Sequence, residues 1–232
     1  QASFVRIADG RMVSPAQPLL APPEWMLPAL GGAAVVAQQI AHQFEESFQL
    51  GTPLDATIPA LMDNRHSRLS ELATRTLALI DDYRGLVRAL SAAHQESRLA
   101  AFTGLGAWIR RDPGHAQLLS DELSRSYNDE TSLKLIRLVW GFAPQDARNP
   151  TVSQELVDWL GDAEVAVREG AYFQIQRLVG GQPTFRYHPD ASESQRASSV
   201  KSWNNHLRKT GALLEPGPTP VDEPPAGEAP VN

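Results

Sequence analysis

The densest run of reactive side chains in the 232-residue chain is FRYHPDASESQRASSVKSWNNHLRKTG, residues 185–211. Tyr187, His188, Asp190, Glu193, Arg196, Lys201, Trp203 and His206 share that span and offer acid–base groups, carboxylates and cations together. The same residues could form an active site, a basic surface or the end of a fold, and the local signals favour the last. Pro189 biases His188 away from helix. Ser192 with Gln195 makes a capping box, and Asp190 with Glu193 offers a competing one. A helix over 192–209 then ends near Gly211. Its apolar positions, Ala197, Val200, Trp203 and Leu207, form one narrow stripe suited to covering the end of a helical stack. That reading places Trp203 against Phe185 or Tyr187 and Arg196 on an acid or a C-terminal carbonyl. It leaves Lys201, His206 and Arg208 in solvent.

The remaining chemistry is scattered. No two of His42, His66, His94, His115, His188 and His206 are three or four residues apart, so no helix presents a two-histidine metal face. The absence of cysteine removes thiolate metal sites, cysteine nucleophiles and disulfides. No H-E-x-x-H, G-x-S-x-G, phosphate-loop or dinucleotide fingerprint occurs. Gly104-Leu105-Gly106 lies inside an apolar helical stripe and reads as close packing. The neighbours Glu45-Glu46 and Asp81-Asp82 would point about 100° apart on a helix, poor geometry for shared acid–base work, and Asp81-Asp82 is expected at a helix junction. Arg110-Arg111 suits a helix C-terminus, where cations are favourable; a phosphate contact is the sharper alternative. With 27 acidic against 21 basic residues and a net charge of -6, the chain lacks the basic excess of a general nucleic-acid binder. The expectation is no catalytic residue, no cofactor-binding residue and no metal site.

The elements that would position these residues are mostly helical. SFVRIADGRMV, residues 3–13, reads as a β-hairpin turning at Asp9-Gly10. Pro15, Pro18, Pro22, Pro23 and Pro28 then make an extended arm, pinned by Trp25 and Leu27, so residues 1–30 form a hairpin and arm. Residues 31–211 read as one helical domain. Thr52 serves as an N-cap before Pro53. Five stripes carry the core: Ala33, Val36, Ala37, Ile40 and Phe44; Leu69, Leu72, Ala73, Thr76 and Ile80; Leu99, Phe102, Leu105, Gly106 and Ile109; Leu135, Leu138, Val139 and Phe142; Val167, Ala171, Ile175 and Leu178. Breaks fall at Asp112-Pro113-Gly114, at Pro144, at Asn149-Pro150 and at Gly180-Gly181. Residues 212–232 are Pro-rich and acidic, and read as a disordered tail. The most apolar early stretch, Gly31 to Ala41, is interrupted by Gln38-Gln39 and is too short to span a bilayer.

Segments beginning at Leu61, Leu90, Tyr127 and Leu160 are similar to one another, and the second and fourth align without a gap. Leu90 matches Leu160, Arg98 matches Arg168, Ala101 matches Ala171 and Phe102 matches Tyr172. The spacings, 29, 37 and 33 residues, suit paired-helix units that stack to bury a shared core. GDAEVAVREGAYFQIQRLVG resembles a HEAT repeat (armadillo-like α-solenoids), through Asp162 in the turn and Val165, Arg168 and Ala171 in the second helix. The resemblance covers roughly residues 53–180. It departs at Tyr127, which stands where leucine is usual, and in NDETSLKLIRLVW, which lacks the Val-Arg pairing. Residues 180–211 are similar to the segment that ends HEAT arrays in bacterial envelope proteins, at Gly181, Gln182, Phe185, Tyr187, Pro189, Arg196 and Trp203. FVRIADGRMVS resembles the last hairpin of FecR-type periplasmic sensor sheets.

These resemblances imply an all-α, HEAT-like solenoid of about four helix pairs with a closing helix. They imply a non-enzymatic interaction or scaffold module that binds protein partners within a larger bacterial protein or complex, with the cell envelope favoured over the cytoplasm. A chain that starts at Gln1 is expected to be a processed or excised segment, compatible with an anchor upstream. Two other readings stay open. One is a nucleic-acid-binding or enzymatic domain with a basic concave groove. The other is an accessory subunit whose Pro-rich arms thread into neighbours.

Overall fold

In the computed structural model, residues 3–4, 7–8, 11–12, 17–18, 32–48, 52–181 and 185–215 are described. The chain divides into two units, 1–50 and 51–232, each taken by itself. The first unit contains β1 (Ser3–Phe4), β2 (Ile7–Ala8), β3 (Arg11–Met12), β4 (Gln17–Pro18) and α1 (Gly32–Glu46). β2 and β3 pair antiparallel on either side of Asp9-Gly10, with Ile7 opposite Met12 and Ala8 opposite Arg11. β1 does not extend that ladder. Ser3 lies opposite Pro18 and Phe4 opposite Gln17, so the Pro-rich arm supplies a strand that its prolines argued against. A two-residue edge pairing needs no N–H from Pro18, which removes the objection. Trp25 and Leu27 lie outside the described residues.

The helical domain expected from residue 31 begins instead at Gly51, because α1 clusters with the first unit. The apolar stripe of α1 is also not a core stripe: Val36 and Ala37 face solvent, while Ile40 and Phe44 are half-buried. Phe44 packs edge-on against Phe48 at 4.9 Å between ring centres.

The second unit is all-α. It runs through α2 (Leu54–Met62), α3 (Ser67–Leu79), α4 (Tyr83–Ala89), α5 (Gln95–Ile109), α6 (His115–Ser126) and α7 (Asp129–Trp140). A 3₁₀ turn (Pro144–Arg148), α8 (Pro150–Trp159), α9 (Val165–Leu178) and α10 (Glu193–Thr210) complete it. Local chemistry fixes the helix starts. Asp82 accepts from the Gly85 N–H at 3.0 Å, and Asn128 accepts from Thr131 at 2.9 Å. Asn149 accepts from Thr151 and Val152 ahead of Pro150; each bond satisfies a donor that the first helical turn leaves open. α2 departs from expectation: Pro53, at φ -62° and ψ 142°, occupies the cap position, and no side-chain cap is made. Thr52 is therefore one residue too early to cap it.

Consecutive helices pair as α2–α3, α4–α5, α6–α7 and α8–α9. The second helices share a register. Their fourth residues are Ser70, Arg98, Ser132 and Arg168, all buried. Three positions on stand Ala73, Ala101, Leu135 and Ala171; seven on stand Leu77, Leu105, Val139 and Ile175; all are buried as well. Each fourth residue donates to a carbonyl in or before the preceding turn. Ser70 Oγ reaches Met62 O at 2.5 Å and Ser132 Oγ lies 3.5 Å from Tyr127 O. Arg98 reaches Ala92 and Ala93 at 2.8 and 3.1 Å; Arg168 reaches Asp162 and Ala163 at 2.9 and 2.6 Å. Carbonyls at a helix end have no intrahelical donor, and this position supplies one.

The expected α3 stripe is rotated in consequence. Ile80 is exposed, while Ser70, Thr74 and Leu77 are buried. A hydrophobicity pattern misses Ser70 and Thr74 because their hydroxyls are satisfied by backbone carbonyls, Thr74 Oγ1 by Ser70 O at 3.0 Å. Phe142 likewise falls outside α7, which Gly141 ends at φ 82°.

α5 is the hub. α3 packs against it closely enough that a Cβ on Gly104 would sit 2.9 Å from Ala78 Cβ. Both α7 and α9 also reach it, and a Cβ on Gly170 of α9 would sit 2.5 Å from the Phe102 ring. In a strictly linear stack each unit meets only its neighbours; here α9 closes past α7 onto α5. Beyond α10, Ala212 and Leu213 are buried rather than part of a tail. Leu213 N–H donates to Ser153 Oγ at 3.0 Å and Leu214 N–H to Ala147 O at 2.9 Å. Residues 216–232 lie outside the described residues. Among the described residues no helix is long and apolar enough to cross a membrane.

Candidate functional site

The 185–211 stretch folds as a cap, and its reactive groups disperse. Ser192 and Gln195 form the capping box of α10, and Gly211, left-handed at φ 79°, ends it. Trp203 is fully buried, edge-on to Phe185 at 5.2 Å. Tyr187 packs on Tyr172 at 5.3 Å and donates to Leu160 O at 2.5 Å; burial pushes its hydroxyl up to about 12. Arg196 donates to Ala191 O at 2.6 Å, a carbonyl just before α10 rather than at a helix C-terminus. His206 is not solvated as expected: its ring stacks edge-on near Phe185 and Trp203, and Nε2 lies 3.1 Å from Leu213 O. Lys201, Arg208 and His188 are exposed, as is Ala197. Gln182 lies outside the described residues.

Asp190 is the one member drawn into an ion cluster. Its carboxylate accepts from Arg98 Nη2 at 2.5 Å. The same guanidinium holds Glu169, Nε at 3.1 Å and Nη2 at 2.9 Å, and both side chains are 1% exposed. Gln95 donates to the other Glu169 oxygen at 2.9 Å. Arg168 completes the junction by donating to Pro189 O at 3.0 Å. Burial pushes the Glu169 carboxyl above the ordinary carboxylate range, against the pull of Gln95 and Arg98. The Arg98 guanidinium and both Glu169 oxygens are occupied, and the cluster ties α5, α9 and the segment before α10 together. Its chemistry is that of a clasp. Glu169 and Gln95 carried no motif in the sequence; the Arg98–Arg168 alignment was the signal that could have led to them.

The other singled-out residues separate likewise. Asp82 caps α4. Asp81, at φ 60° in the turn before it, pairs with Arg111 Nη2 at 2.5 Å on the surface. His94 Nε2 lies 2.9 Å from Asn64 O and His115 Nδ1 2.8 Å from Trp108 O; His42 pairs with Glu46 at 3.1 Å on the surface of α1. Among the described residues no three His, Asp or Glu side chains stand together as a metal ion would need.

Among the grooves open to solvent, one of about 910 Å³ lies between α2 and α4, and another of about 750 Å³ lies between α3 and α5. Leu54 and Ile58 of α2, Leu77 of α3, Ile80 just past its end and Val87 of α4 give the first an apolar floor, and Arg84, Arg88 and Glu122 stand at its rim. α4 packs on α6, so the groove opens where the next contact between first helices would fall. Ser91 and Tyr127, also in its wall, are bonded to each other at 2.8 Å. Burial raises the Tyr127 hydroxyl, against the Ser91 bond. Leu79, 83% exposed, lines the α3–α5 groove with Leu99 and Ala100, and Leu133 of α7 is 69% exposed.

The chain matches no protein-family model, no curated protein and no solved structure.

Proposed function

We propose that this chain is a non-enzymatic, HEAT-like helical-repeat module that binds protein partners, as a segment or subunit of a larger bacterial assembly at the cell envelope. The observation that carries the binding role is the α2–α4 groove, apolar below and charged at the rim, in which Asp82 is committed to helix capping and Ser91 and Tyr127 to each other. The shared register of Ser70, Arg98, Ser132 and Arg168 supports the repeat architecture, since the same position does the same backbone work in four helix pairs. The α9–α5 contact makes this a tighter array than a linear solenoid. A scaffold also accounts for the cations. Arg68 and Arg75 hold Glu71 at 2.7 and 2.8 Å, Lys134 holds Asp162 at 2.7 Å and Arg137 holds Glu155 at 2.6 Å, which leaves little of the basic stripe a nucleic-acid groove requires. Native mass measurement of the chain, captured with mild crosslinking from its own cell extract, should show it in a complex with protein partners. A chain that runs at its own mass, alone, at native concentration overturns the proposal. Fractionation of the same cells tests the envelope assignment.

A further inference from the structure

We propose that the α2–α4 groove takes an amphipathic, acidic helix of a partner protein, its aliphatic side chains on the apolar floor and its carboxylates on Arg84 and Arg88. This rests on the interaction-module reading and names the surface and the partner's chemistry.

The charge balance at the rim carries the inference. Two acids line the groove, and both are spent inside the fold. Asp82 accepts from the Gly85 N–H as the cap of α4. Glu122 is 17% exposed and lies 3.0 Å from Arg125 and 3.6 Å from Arg84. With Arg125, which holds Glu122 from beside the groove, three cations stand against these two acids. Arg84 is 68% exposed and shares its acid with Arg125 at the longer of the two distances. Arg88, exposed in the last turn of α4, makes no ion pair or side-chain hydrogen bond among the described residues. A basic partner would meet guanidiniums with no acid left to receive it. A purely apolar partner would cover Arg88 without pairing it, at the cost of desolvation. A carboxylate-bearing partner satisfies both, and the net charge of -6 on the chain makes this local cationic rim a discriminating feature.

The spacing specifies the partner further. Arg84 and Arg88 are four residues apart on α4, about 6 Å along the helix axis. Carboxylates at i and i+4 on a helix beside α4 repeat at that pitch. About 910 Å³ accommodates a few side chains rather than a whole helix, so the partner lays its apolar stripe onto the exposed Leu54 and Ile80, above the buried Ile58 and Leu77, and keeps its backbone at the mouth. This is the helix-in-groove mode, with aliphatic anchors for affinity and charges for register.

The test uses the full chain and a fluorescein-labelled synthetic helix of about four turns with Leu at i, i+3 and i+7 and Glu flanking at i+4 spacing. Two controls carry Lys for every Glu, or Ser for every Leu. Fluorescence anisotropy should show saturable binding of the acidic peptide that weakens as salt rises, with each control about tenfold weaker or worse. R84E/R88E should weaken the acidic peptide by about tenfold and strengthen the Lys peptide. Both arginines are exposed, so circular dichroism and melting should match the parent. A second variant, Ile80→Glu, places a carboxylate on an exposed floor position and should reduce binding with the arginines intact. Equal binding of acidic and basic peptides, absence of binding, or an affinity indifferent to R84E/R88E overturns the proposal. Self-association of the chain that R84E/R88E abolishes, with no peptide binding, also overturns it, by making a second copy the occupant. If R84E/R88E still captures the natural partners, the interaction module stands and this groove is not its contact.

Discussion

At the scale of single residues, the buried Arg98–Glu169 pair is the most consequential arrangement in the helical unit. Two charges at 1% exposure are tolerated because Gln95, Asp190 and the Ala92 and Ala93 carbonyls occupy their remaining hydrogen-bonding capacity. Arg98→Met leaves Glu169 buried without its cation and should cost about 3–5 kcal/mol in urea unfolding. Adding Glu169→Leu should recover a substantial part of that loss, and a double-mutant cycle showing simple additivity would contradict the pairing. Glu71 illustrates the opposite balance. Burial works to raise its carboxyl, but hydrogen bonds from Arg68 and Arg75 outweigh it and hold the group below its ordinary 4.5. Because the folded value is the lower one, the group's stabilisation is present above 4.5 and is lost as pH falls through the folded value. Urea midpoints of the parent and Glu71→Gln should therefore differ most near pH 6 and converge as pH falls below the folded value. Trp203 adds a third case: its indole Nε1 has no acceptor among the described residues although the ring is fully buried. Trp203→Ala should cost about 3–5 kcal/mol, whereas Trp203→Phe, which deletes the unpaired donor and keeps a ring against Phe185, should cost less than half of that.

At the scale of elements, the helices are set by capping and their contacts by glycine. Intrinsic propensity says that Gly170→Ala should stabilise α9 by about 1 kcal/mol. The Phe102 ring, 2.5 Å from the added Cβ, and Leu138 Cδ1, at 3.0 Å, say otherwise. The substitution should destabilise by about 1–3 kcal/mol, and Phe102→Leu should relieve part of it; a stabilised Gly170→Ala in a thermal melt would refute the α5–α9 contact. The helix breaks and the α10 capping box were legible from sequence because caps and breakers act within a few residues. The α3 face was not. Ser70 and Thr74 look polar in a pattern, and only the positions of the Met62 and Ser70 carbonyls make them core residues. The repeat alignment was also legible between Leu90 and Leu160, where both turns have the same length. From the first unit the helical registers are 28 residues apart, Ser70 to Arg98, not the 29 that separate Leu61 and Leu90, because Met62, not Leu61, stands where Leu90 does, eight residues ahead of the register position.

At the scale of the whole molecule, the segment 185–215 locks the last pair. Phe185, ahead of α10, and Trp203 and Leu207 on it close that pair, and the chain past Gly211 returns to α8 and the 3₁₀ turn through Leu213 and Leu214. Ending the chain at Thr210 removes two buried side chains and should lower the melting temperature relative to a chain ending at Glu215; equal melting of the two would show that this return contributes nothing. The sequence by itself determined the helical class, the helix breaks around Pro113, Pro150 and Gly180-Gly181, the equivalence of Arg98 and Arg168 and the role of Trp203, because these follow from side-chain size, capping chemistry and periodicity over a few turns. Only the tertiary structure decided that Arg98 and Glu169, 71 residues apart, share one buried site, that α9 reaches past α7 to α5, that Ala212 and Leu213 belong to the core, and that α2 and α4 leave a groove. Each of those depends on how helices approach in space, where a methyl group on Gly170 or one residue in a turn changes the distance, and no local pattern in the chain encodes that distance.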